Sequence, residues 1–274
     1  MKKYQLPDQS QVRRLFTFGC SFTDYNFDTW ANILGDYYSK SEFYNYGAAG
    51  AGNVAIASKI TQANILHQFN KDDLIIVCWT SSLRESRILS NQGEWSNTGS
   101  VLTSPSLSLY DNKFVKRYVN ETHYVLESLT QMHLINSLLR SSGSRFYYLF
   151  MMHPLIHEPT QVAEPIKTLT MHPNIMQTYS KDIEKYSEIH SYQTLLKSLD
   201  TYEHLLLPHD PTHLTSRGHG VYLENVFDID LSSVDFDAKI AKSAYIQQNW
   251  AKVTSATHYY TFRKSDPLHP AIFY

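Results

Sequence analysis

The chain has 274 residues, enough for one large α/β domain or two small ones with a substantial buried core. An apolar share of 42% and a charged share of 18% exclude a disordered chain, and no run nears the ~18 apolar residues of a membrane helix. A formal net charge of −2 without a basic stripe excludes the electrostatic footprint of a nucleic-acid binder.

The opening MKKYQLPDQSQVRR is charged but has no apolar stretch behind it, unlike a secretory signal. Only two cysteines occur, Cys20 and Cys78, so no disulfide framework is expected, and both features point to a cytoplasmic setting with reduced thiols. Twenty tyrosines suit either core packing or polar ligands.

Arg13 to Gly19 reads as a first buried strand ending at a glycine, and Phe27 to Tyr38 as a helix with Trp30, Ile33, Leu34 and Tyr37 on one face. A short strand over Glu42–Tyr46 runs into GAAGAGN, which opens a helix from about Val54 to Phe69. LIIVCW, behind Asp73, is the clearest buried strand. Residues 81–116, rich in Ser, Asn, Thr and Gly, read as a long loop or insertion. A long helix follows over Tyr118–Arg140 with Gly143 as its C-cap, and then a strand, Arg145–Met152. Residues 154–187 are irregular, with a helix expected near 187–199. HLLLP (204–208) is a candidate fifth strand, and a last helix starts behind Thr215 or Ser216. Strands alternating with helices predict a parallel sheet covered on both faces, with ligands at the carboxyl ends of its strands.

Three short segments lie at such ends. In FTFGCSFTD (Phe16–Asp24) a serine on the turn after a buried strand can hold its hydroxyl exposed to a base, although such serines also serve as helix caps. Asp24 reads as a cap of the following helix or a substrate contact. In DPTHLTSRGHG (Asp210–Gly220), His213 can take a proton while Asp210, three residues earlier, orients the imidazole. His209 and His219 compete for that role. In NYGAAGAGN (Asn45–Asn53) the glycines let backbone N–H groups approach an oxyanion or a phosphate, or simply form a tight turn. The thirteen histidines show no HExxH spacing and the cysteines no CxxC, so neither metal nor cofactor is expected.

In this order the segments resemble the blocks of the SGNH (GDSL-type) esterase and lipase superfamily, over roughly residues 14–225. GCSFTD resembles the first block, with Cys20 where the family's name has aspartate. The resemblance implies a flavodoxin-like three-layer α/β/α sandwich and ester hydrolysis, with Ser21 as nucleophile, His213 as base and Asp210 as acid. It implies oxyanion donors at the backbone N–H groups of Ser21 and Gly50, with Gly52 adjacent. The family's third block, G-x-N-D, lacks its asparagine here, where CWTSSLRE (Cys78–Glu85) stands. Thr80, Ser81 or Ser82 occupies that place, and Ser81 is taken as the replacement donor. Asn53, Trp79, Thr80, Arg84 and His153 are candidate substrate contacts, with Asn53 able to offer an amide from another direction.

One hydrolase-like domain is thus expected over residues 1–228, with insertions near 81–116 and 154–187 and a C-terminal extension, 229–274, packed on it. The expected partner is a small-molecule or glycan ester, such as an O-acyl or O-acetyl sugar, with no nucleic acid and no membrane span. An acyltransferase on the same site, or a ligand-binding protein that kept the fold without efficient turnover, stays open.

Overall fold

The computed structural model describes residues 3–25, 27–88, 95–100, 112–152, 177–179, 181, 191–192, 199, 201–207 and 210–248. Its centre is a parallel sheet built from β1 (Arg14–Phe18), β2 (Glu42–Asn45), β3 (Asp73–Trp79) and β6 (Arg145–Phe150), in the order β2-β1-β3-β6. Between them lie the antiparallel pair β4 (Arg84–Ile88) and β5 (Trp95–Ser100). The four sheet strands are those the apolar runs predict. Every residue of β3 is buried, as a central parallel strand covered on both faces requires. Read by the sheet's own strands the order is 2-1-3-4, that of a flavodoxin-like fold.

The chain crosses over through α1 (Trp30–Tyr37), α2 (Asn53–His67) and α4 (Glu121–Ser142); a short α3 (Asn112–Tyr118) precedes the last of these. Right-handed crossovers put α1 on one face and α2 with α4 on the other. The packing agrees: α2 lies against α4, and α1 against α5 (Ser216–Val226). These three layers are the predicted sandwich. Caps set the helix ends. Thr29 and Asn32 form a capping box on α1, so Thr29 holds the place the sequence offers to Asp24. Asn120 caps α4, Gly143 ends it in a left-handed conformation as expected, and Thr215 caps α5.

At the amino ends of the strands, the Arg14 guanidinium grips the Asp73 carboxylate at 2.6 and 2.7 Å, which fixes the register of β1 against β3. The carboxyl ends of the same strands border the switch in strand order, where this fold opens a crevice.

One segment expected to be a loop holds regular structure, and the chain around His213 adds a second small pair. Within 81–116, β4 and β5 form an antiparallel pair with a bulge between Glu85 and Ser86, because Arg84–Ile88 can pair a second polar strand instead of running free. DPTH belongs to β8 (Asp210–Leu214), paired antiparallel with the two-residue β7 (Leu206–Leu207). Of residues 154–187 and the helix near 187–199, only isolated positions are described. The C-terminal extension is described to residue 248 and contains α6 (Phe236–Gln248), whose Lys239 bonds Asp28 at 2.6 Å and Asp36 at 2.7 Å.

Candidate active site

Immediately after β1 the Cys20 carbonyl accepts from Thr23 N at 2.8 Å and from Asp24 N at 3.1 Å. The chain therefore reverses at once, and Ser21 stands at the corner of that turn, at the carboxyl edge of the sheet. From far along the sequence, β8 brings His213 to the same place. His213 Nε2 lies 2.8 Å from Ser21 Oγ, although 192 positions separate the residues. This is the reach that general-base removal of a hydroxyl proton needs.

Aromatic rings fix the imidazole. Tyr25 stacks on it nearly parallel, with centroids 4.6 Å apart and planes 8° apart. Phe22 lies tilted against it at 5.2 Å. Neither ring was among the residues singled out from the sequence. Their only signal is an aromatic at each end of FTDY, the run that follows the serine. His219, a competing histidine, is buried in α5 with Nδ1 2.9 Å from the Tyr192 hydroxyl. Burial, helped by nearby His213, pushes it down to about 3, so it stays neutral. The backbone of Asp210 lies on β8 three residues before His213. The side chain of Asp210, together with His209 and His153, lies outside the described part.

Behind the serine turn, loss of water pushes the Asp24 carboxyl up to about 7, with Lys59 opposing the rise. Burial brings Lys59 down to about 8. Asn45 holds the turn from below, its amide donating to Thr23 O at 3.1 Å.

Across the crevice, GAAGAGN makes a turn closed by Ala51 N donating to Ala48 O at 3.1 Å. Gly50 occupies its third position at φ 75°, which a type II turn assigns to glycine. The β4–β5 pair presses on this segment: Gly52 N donates to Ser86 Oγ at 2.8 Å, and Ser86 Oγ donates to Asn97 Oδ1 at 2.7 Å.

The segment after β3 turns its polar groups inward. Asn53 accepts from Thr80 N at 3.0 Å, while its amide donates to Thr80 O at 3.2 Å and Ser128 Oγ at 3.0 Å. Both amide hydrogens offered for an oxyanion therefore hold α2, α4 and the β3 exit together. The Thr80 hydroxyl faces the Met151 sulfur at 3.6 Å, and Ser81 Oγ accepts from Leu83 N at 3.3 Å. Trp79 is fully buried edge-on to Tyr148, so it packs the core rather than lining a pocket. Arg84 opens β4, and its Nη1 is buried without a hydrogen-bond partner.

No protein-family model and no curated protein matches the chain. Among solved structures it is similar to a member of the lipolytic G-D-S-L family from Veillonella parvula, at 11% identity over 80% of this chain and 98% of that one, with a TM-score of 0.42. It is similar to an acetylxylan esterase from Geobacillus stearothermophilus, at 14% identity over 77% and 91% of the two chains, TM-score 0.40. A GDSL-like lipase from Bacteroides thetaiotaomicron matches at 13% identity over 80% and 87%, TM-score 0.38.

Proposed function

We propose that the chain is a serine esterase of the SGNH type, acting on a small-molecule or glycan ester. The observation that carries this reading is the 2.8 Å approach of His213 Nε2 to Ser21 Oγ on a turn at the carboxyl end of β1. Neutral His213 accepts the hydroxyl proton as Ser21 Oγ attacks the acyl carbon. The oxyanion is held by the backbone N–H groups of Ser21 and Gly50, with the Ser81 hydroxyl as a further donor. His213 then gives its proton to the leaving alcohol, and an acyl-enzyme ester remains. Water, deprotonated by the same imidazole, attacks that ester, and the proton returns to Ser21 as the carboxylic acid departs. In this scheme Asp210 holds the imidazole in the tautomer with Nε2 free and stabilises its charged form.

The test is hydrolysis of p-nitrophenyl acetate by wild type and Ser21→Ala. The expected outcome is clear turnover by wild type and a loss of about 10³-fold or more in the variant. Equal rates, or no turnover by folded wild type, would overturn the reading in favour of a binding protein on the same fold.

A further inference from the structure

Among the described residues, Arg84 is a positive charge without a use. It opens β4 at the exit of β3, where its backbone N–H donates to Ser81 O at 3.2 Å. Its carbonyl is packed so tightly on the glycine segment that a Cβ on Gly52 would come within 2.4 Å of it. That contact anchors the residue beside the proposed oxyanion turn. Its guanidinium turns one nitrogen inward: Nη1 is buried there without a hydrogen-bond partner.

The adjacent carboxylate does not neutralise it. Glu85 accepts from the Tyr124 hydroxyl at 2.5 Å and pairs with Arg87 Nε. The ion pairs among the described residues join Arg14 to Asp73, Arg87 to Glu85, and Lys239 and Lys242 to the acids on and near α1; none includes Arg84. A guanidinium carries five N–H donors in a fixed fork and does not lose its charge in proteins. Arg84 is half-buried, and burying one nitrogen of the fork without an acceptor is costly unless a ligand orders the group differently.

We propose that Arg84 is the anion-recognising group of this site, and that the substrate is an ester carrying a carboxylate or phosphate group. The inference rests on the esterase reading and narrows its substrate class. An acidic group on the acyl or alcohol part would take paired hydrogen bonds from the guanidinium fork while the ester carbonyl lies at Ser21. Specificity would then come from the β3 exit, and chemistry from the β1 exit.

Inorganic phosphate is a simple probe that both proposed anionic groups resemble. Calorimetric titration of full-length wild type should show saturable binding, and phosphate should inhibit p-nitrophenyl acetate hydrolysis competitively. Arg84→Gln should weaken phosphate binding about 10–100-fold, the span of one charge-assisted hydrogen bond, with Arg84→Lys intermediate. Thermal melts of both variants show that they are folded, and Arg84→Lys alone serves if the glutamine variant is not. Absence of phosphate binding by wild type, or equal binding by the folded variants, would overturn the proposal. The esterase reading is scored separately in the same preparation. Ester turnover without phosphate binding removes the anion site alone, and phosphate binding without turnover removes the esterase and with it the substrate assignment.

Discussion

The two loops that border the crevice treat their polar side chains in opposite ways. After β1, Ser21 and His213 face each other across 2.8 Å, and aromatic rings hold the imidazole. After β3, Asn53, Thr80 and Ser81 bond mainly to the scaffold, and Trp79 Nε1 and Arg84 Nη1 are buried donors without partners. The proposed nucleophile needs its base at one distance and angle, and aromatic packing beside the imidazole serves that need. The β3 exit must instead bind three elements into one wall, and it uses the side-chain amide that could have stabilised an oxyanion. In the proposed scheme transition-state charge is left to backbone N–H groups and hydroxyls, which would make the first loop the more sensitive to substitution.

The most severe test of this contrast is His213→Asn. It keeps a polar side chain but removes the base, and turnover of p-nitrophenyl acetate should fall about 10³-fold or more with little change in melting temperature. A loss below tenfold would mean that the Ser21–His213 contact is structural.

On the other loop the order of effects should invert. Asn53→Ala strips Thr80 of two backbone partners in a buried setting, at about 1–3 kcal/mol for each polar group left unsatisfied. For a chain of this size that lowers the melting temperature by roughly 2–4 °C per kcal/mol. Rates measured well below the melting temperature should change less than the stability does. A fall of about 10²–10³ in kcat with unchanged stability would instead make Asn53 an oxyanion donor.

The same division governs what could be read from the sequence. Ser21 and His213 were legible because a turn after an apolar strand and a histidine before a helix are local patterns, and the fold closes the gap between them. The four parallel strands were legible because runs such as LIIVCW have no other stable home than a covered sheet. The role of Asn53 was not legible, since an amide reads alike whether it faces a ligand or a neighbouring element. The β4–β5 pair stayed hidden because polar strands with a bulge carry no alternation. Tyr25 gave little signal because stacking on His213 depends on a partner far along the chain.

A smaller effect concerns the turn behind the nucleophile. Asp24 has its folded value raised to about 7 from an ordinary carboxylate value near 3.8. Between those values the folded state holds a proton that the unfolded state has lost, so this group makes stability fall as pH rises from about 4 to about 7. Lys59, lowered to about 8, works at the other end: it makes stability rise again as pH climbs from about 8 toward 10.5. Asp24→Asn should flatten the acid-side slope, measured as melting temperature against pH. An unchanged slope would show that the Asp24 carboxyl is hydrated in solution.

The finest distinction lies within the first loop, between the ring of Tyr25 and its hydroxyl. Parallel stacking at 4.6 Å would let the π face stabilise the imidazolium of the proposed mechanism, an effect of about 0.5–1 kcal/mol at exposed sites. Tyr25 is 36% exposed, so the lower part of that range applies. Tyr25→Ala should therefore reduce kcat about two- to threefold on p-nitrophenyl acetate, whereas Tyr25→Phe, which keeps the ring, should stay near wild type. Were the phenylalanine variant as slow as the alanine one, the hydroxyl would be the working part, and Tyr25 would belong with the groups that meet substrate rather than with those that hold the base.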